Sequence, residues 1–137
     1  MRKLLFIIPT LLLFNACRYD KGEIPTPDLN CVADSVIHVI PVTIQDYSFS
    51  PANIEIISGD TVKWTYVSSG ADIHTTTCDG TNQSTLPLNG TVWNSGNLNP
   101  GDTFKKRITI PGTYTYICLI HGFSMMSGTI VVKPRCN

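Results

Sequence analysis

From Ser35 onward the sequence sustains no helical period; its apolar residues come in short alternating runs cut by turn residues. In VIHVIPVTIQ the residues Val36, His38, Ile40, Val42 and Ile44 share one parity, as one face of a strand requires. NIEII and TVKWTYV are two more short runs, separated by the turn Ser58-Gly59-Asp60. Asp72 to Thr77 carries three successive β-branched threonines and is expected to be a strand. Asp79 to Pro87 reads as a loop, and Asn99-Pro100-Gly101-Asp102 as a turn. After that turn Phe104, Ile108 and Ile110 are expected inside, Lys105, Arg107 and Thr109 outside, with Lys106 breaking the alternation. Pro111-Gly112 leads into TYTYIC, and Gly128 opens a last run, GTIVVK. Short strands spaced in this way build an all-β sandwich or barrel. Residues 35–137 form one domain, enough chain to bury one core between two sheets.

The N-terminus is of another kind. Arg2 and Lys3 precede the apolar run Leu4 to Phe14, which is too short to span a bilayer as a helix but has the length of a signal-peptide core. It ends at Ala16-Cys17 and so resembles a bacterial lipoprotein signal. Residues 1–16 are then a signal peptide, and Cys17 is the lipidated first residue of the mature chain. Residues 17–34, polar and with two prolines, form a flexible tether. With 10 basic and 10 acidic residues in the whole chain, loss of Arg2 and Lys3 leaves a net charge of −2. Arg18, in place of the aspartate that retains lipoproteins at the inner membrane, favours the outer membrane by the same resemblance. No basic run points to nucleic acid, and no acidic tail points to disorder.

Near the end, YICLIHGFSMMSG gathers Cys118, His121, Met125 and Met126. A thiolate, two imidazoles and a weak axial thioether are the ligands of type 1 copper, soft enough for Cu(I) and acceptable to Cu(II). The alternation of TYTYIC puts Tyr114, Tyr116 and the Cys118 sulfur on one face. A second imidazole must come from elsewhere. Only His38 and His74 remain: His38 lies among apolar neighbours and reads as structural, and His74 sits at the end of the polar loop Ser68 to Asp72. Met125 competes with Met126, but the spacing to Gly128 suits Met126. A Cys2His2 zinc set of His74, Cys78, Cys118 and His121 is disfavoured: positions four apart on a strand are separated by about 13 Å, and Thr75-Thr76-Thr77 is a poor helix. Asn82 and Asn89 head glycosylation sequons, read here as ordinary loop chemistry.

Phe49-Ser50-Pro51, Gly59-Asp60-Thr61-Val62-Lys63-Trp64, His74, Asn94-Ser95-Gly96, Pro111-Gly112-Thr113-Tyr114 and Cys118-x2-His121-x4-Met126-Ser127-Gly128 together resemble a cupredoxin of the plastocyanin and azurin family. The resemblance runs from about Val36 to Lys133. It implies a Greek-key β-sandwich or barrel holding one type 1 copper ion. His74, Cys118 and His121 would be the strong ligands and Met126 the axial one. His121 would be the electron port, with Gly122 and Phe123 in the surrounding docking patch. Thr75 stands where many plastocyanins have asparagine, and its hydroxyl would tie the two ligand loops together. Ile117 stands where plant plastocyanins have a docking tyrosine, so that second surface is not carried over. The family fold puts both chain ends at the pole opposite the metal, which makes Cys31–Cys136 the first expectation for a disulfide. Cys78–Cys136 is the alternative.

The function so implied is one-electron transfer between redox proteins of the cell envelope, by a monomer that transforms no substrate. Copper buffering or delivery is the alternative, disfavoured by only three methionines and three histidines. An enzyme would need a second copper site, for which His38 alone remains.

Overall fold

The computed structural model describes residues 31–136. The candidate signal sequence, Cys17 and the tether up to Asn30 lie outside the described residues. The strands are β1 (Val39–Gln45), β2 (Ser48–Ser50), β3 (Asn53–Ile57), β4 (Thr61–Tyr66), β5 (Thr77–Cys78), β6 (Trp93–Asn94), β7 (Thr103–Arg107), β8 (Gly112–Ile117) and β9 (Ser127–Lys133). They form two sheets, ordered β2-β1-β4-β7 and β3-β9-β8-β5-β6. β1 lies parallel to β4 and β3 parallel to β9, whereas the other pairs are antiparallel. The described residues form an all-β sandwich of these two sheets, as expected.

The alternation read from the sequence becomes the core. Val62, Trp64 and Tyr66 of β4 point inward, as do Tyr114 and Tyr116 of β8 and Ile130 and Val132 of β9. Trp64 joins the two sheets: its ring lies 5.5 Å from that of Tyr116 and 5.7 Å from that of Trp93. Such tilted and edge-on aromatic pairs add to the stabilisation that their buried area gives. Gly128, in register with Tyr116, leaves no room for a side chain, since a Cβ there would lie 2.4 Å from the Tyr116 ring. That close approach seats the start of β9 beside the end of β8.

Two strands are shorter than the pattern suggests. β1 begins only at Val39; Val36 and His38 precede it and are exposed. The His38 amide donates to Asp60 Oδ1 at 3.0 Å. The His38 ring lies beside the carboxylates of Asp34 and Asp60. β5 contains only Thr77 and Cys78, whereas a strand over Asp72 to Thr77 was expected. The Thr75 and Thr76 amides donate instead to the Cys118 sulfur and to Ser95 Oγ, so β-branched residues here serve a loop.

β9 spans about 20 Å and sets the axis of the molecule. Met126 precedes it at one pole; Arg135 and Cys136 follow it at the other. There Cys136 is disulfide-bonded to Cys31, and Val32 pairs in parallel with Arg135. Arg135 donates to the Ser58 and Val36 carbonyls and, at 2.9 Å, to Asp60 Oδ1. Asp60, 2% exposed, also accepts the Ile57 amide. Burial works to raise this carboxyl, but the His38 and Ile57 amides and the Arg135 charge together hold it below the ordinary aspartate value.

Candidate metal centre

Three chain segments meet at the pole opposite the disulfide. His74 is held by a bridge to Leu98, with N–H to carbonyl distances of 3.2 and 2.8 Å. Cys118 follows the last residue of β8 and donates its amide to the Met126 carbonyl at 3.0 Å. Between them the chain turns back on itself. The Gly122 amide donates to the Cys118 carbonyl at 2.8 Å, and the Met126 amide to the Gly122 carbonyl at 3.0 Å. Gly122 has φ +75°, a conformation that costs glycine nothing and side-chain-bearing residues something. His121 is presented from this closed loop.

The potential ligand atoms of His74, Cys118 and His121 lie within 4.8 Å of one another. Cys118 Sγ is 3.8 Å from His74 Nδ1 and 3.4 Å from His121 Nδ1. Two donors bound to one first-row ion at about 2.0–2.3 Å lie roughly 3.5 Å apart, so these separations suit a shared ion. Met126 is 1% exposed and packs in the same core cluster as Cys118, whereas Met125 is 61% exposed. The cluster is compatible with one type 1 copper site, because it joins a thiolate, two imidazoles and a thioether.

A profile of the copper binding proteins of the plastocyanin/azurin family matches residues 37–133. The chain belongs to that family. Plastocyanin of Dryopteris crassirhizoma is 30% identical to this cupredoxin over 96 residues, 66% of this chain and 92% of the fern protein. The structure of a purple cupredoxin from Nitrosopumilus maritimus has a TM-score of 0.52 at 30% identity, covering 68% of this chain and 98% of that one. The copper-containing nitrite reductase of Thermus scotoductus SA-01 shares the fold with a TM-score of 0.55 at 24% identity. The cupredoxin covers only 27% of that enzyme's chain.

His74 is buried, and desolvation, followed by the neighbouring His121, pushes its imidazole below the ordinary value. The ring therefore favours its neutral form, the form in which an imidazole can bind a metal. Its Nε2 is buried, lacks a hydrogen-bond partner and lies 4.0 Å from Asp46 Oδ1, beyond hydrogen-bond reach. A metal at Nδ1 would fix the proton on Nε2, facing that carboxylate.

The sulfur accepts the Thr75 amide at 3.4 Å. The Leu119 amide donates to Thr75 Oγ1 at 2.9 Å, so Thr75 joins the His74 loop to the Cys118 loop from both its backbone and its side chain. Cys78 stands apart: its buried thiol donates to the Thr85 carbonyl at 3.2 Å, and burial pushes it up to about 12. It is not among the ligand atoms that His74, Cys118 and His121 bring together, which removes the Cys2His2 zinc arrangement.

Several neighbours were invisible to motif reading. The Tyr66 ring stands edge-on to His74 with centroids 4.8 Å apart, and its hydroxyl donates to the Asp72 carbonyl at 2.9 Å. The Tyr47 ring meets His121 edge-on at 4.7 Å, and its hydroxyl donates to Asp72 Oδ2 at 2.9 Å. That bond, and then the Asp72 charge, raise the Tyr47 phenol and keep it protonated. TVKWTYV read as a short strand run, which says nothing of the place of Tyr66 beside an imidazole. Tyr47 lies in a turn, where no periodic signal exists.

Proposed function

We propose that this cupredoxin is a one-electron carrier of the bacterial cell envelope, with His74, Cys118 and His121 as strong ligands and Met126 as the axial ligand. The observation that carries the reading is the convergence of two Nδ1 atoms on one buried sulfur beside a buried methionine. Copper held by these donors supplies a Cu(I)/Cu(II) couple. The chain contributes rigidity: Thr75 joins the two ligand loops, and backbone bonds close the loop from Cys118 to Met126. Fixed donors change little between oxidation states, which favours fast electron exchange over ready release of the ion.

His121 is the electron port in this reading. Residues 117–128 carry no charged side chain, and Leu119, Ile120, Phe123 and Met125 are exposed around it. With Gly122 they offer an apolar face to a redox protein, donor or acceptor. His38 stands at the other pole between carboxylates, away from this chemistry. Lipidation of Cys17 would fix the chain to a membrane, the outer membrane by its resemblance to lipoproteins carrying a residue other than aspartate after the cysteine.

The test adds Cu(II) to the non-lipidated chain from Arg18 onward and records its visible absorption and EPR. An intense blue thiolate-to-copper band with narrow hyperfine splitting is expected, and Cys118→Ser should abolish it. A pale Cu(II) spectrum with wide splitting would refute the reading. Rapid loss of copper to a weak chelator would favour buffering or delivery instead.

A further inference from the structure

Tyr47 occupies the second position of the turn joining Gln45 of β1 to Ser48 of β2, with φ +62°. Turns that need a positive φ there use glycine or asparagine, and a bulky aromatic residue in that region is a conformational outlier. An outlier of this kind invites the question of what the side chain gains by it.

Here the side chain reaches both ligand loops from outside. Its ring meets His121 edge-on, with centroids 4.7 Å apart and planes at 72°, and lies 6.5 Å from the His74 ring. Its hydroxyl donates to Asp72 Oδ2 at 2.9 Å, two residues before His74. Edge-on contact orients an aromatic pair, and the hydroxyl bond fixes the tyrosine that makes it. With 47% of its surface exposed, Tyr47 also forms part of the face that a protein approaching His121 must meet. A rigid aromatic residue with one polar end is the kind of side chain that dominates binding at protein interfaces.

We propose that Tyr47 is a positioning and docking residue for electron exchange: its ring holds the His121 imidazole and extends the port surface that a redox partner contacts. The proposal rests on the carrier reading above. Its partner is a protein presenting an apolar patch, for which a second copy of this chain serves as the probe.

The experiment compares the soluble chain with its Tyr47→Asn and Tyr47→Phe variants. Asparagine tolerates positive φ, so Tyr47→Asn should fold with a denaturant midpoint at least equal to that of the parent. In the apo-protein the His121 ring resonances should broaden as the ring loses its support. With copper bound, the blue band should persist while self-exchange between oxidised and reduced copies falls roughly tenfold, the loss expected for a truncated interface anchor. Tyr47→Phe keeps the ring and should lose less. Self-exchange equal to the parent's in Tyr47→Asn would overturn the proposal. So would loss of the blue band or of stability in that variant, which would make Tyr47 merely structural. A parent protein lacking the blue band refutes the carrier reading itself, a result recognisable before any variant is made.

Discussion

Replacing Thr75 by valine keeps the shape of the side chain and removes the oxygen that accepts the Leu119 amide at 2.9 Å. Thr75 is buried, but Leu119 is exposed, so water can reach the freed amide. The loss is therefore that of one hydrogen bond, about 1 kcal/mol. The Thr77 hydroxyl, 3.3 Å from Thr75 Oγ1, also loses an acceptor but can rotate to another. For a domain of this size the unfolding entropy is about 0.2 kcal/mol per kelvin, which converts the loss to roughly 5 °C in the melting temperature of the apo-protein. Thr75→Ser keeps the oxygen and should fall by less than half as much. The copper form gives a second measurement. The backbone N–H of residue 75 is retained, but its grip on the sulfur slackens once the side-chain tie is gone, so the thiolate absorption should shift in Thr75→Val and not in Thr75→Ser. If both variants melt together, or Thr75→Val melts with the parent, the tie between the loops is not what holds them.

Met126→Leu should keep the blue colour and raise the reduction potential, because removing a donor disfavours the more highly charged Cu(II); Met125→Leu should leave the potential where it was, and voltammetry of both variants decides the axial assignment. Replacing Cys31 and Cys136 by serine opens a loop spanning 105 positions and should cost about 5 kcal/mol in the chain-entropy account, read by denaturant titration. At the same pole, Asp60→Asn breaks a buried pair with Arg135 and should cost about 3 kcal/mol at neutral pH. Because the folded carboxyl lies below its unfolded value, its stabilisation is complete above the ordinary aspartate range and is lost as pH falls through the folded value. Stability of the parent should therefore drop in acid more steeply than that of Asp60→Asn, as melting curves across that range will measure.

The chemistry of the centre was legible because it resides in residue types at short spacing. Cys118, His121 and Met126 share one loop, and a thiol, an imidazole and a thioether have few other reasons to sit together. The all-β fold was legible because β1, β7 and β8 alternate, and alternation is what a half-buried strand requires. Pattern failed where the backbone leaves its ladder. Thr75 and Thr76 read as strand from their β-branching, but their amides turn to a sulfur and a serine hydroxyl. Val36 and His38 kept the parity of β1 without belonging to it, since the chain there is held largely by the side chains of Asp60 and Arg135. Tyr47 and Asp72 lie 25 positions apart, joined only by tertiary structure, and nothing in their local sequence announces it.

β9 comes last in the chain yet lies inside its sheet, between β3 and β8. A polypeptide still being made therefore has two strands with exposed edges and no partner to close them. It also lacks Met126 and the carbonyl that anchors the Cys118 amide. Metal uptake in the native geometry thus requires β9 to be in place. An ion held by the full donor set certifies that this strand has threaded between two that precede it in sequence. Under the proposed copper reading, chains cut before Met126 would lack the blue band, so colour per molecule would assay how many chains have seated β9.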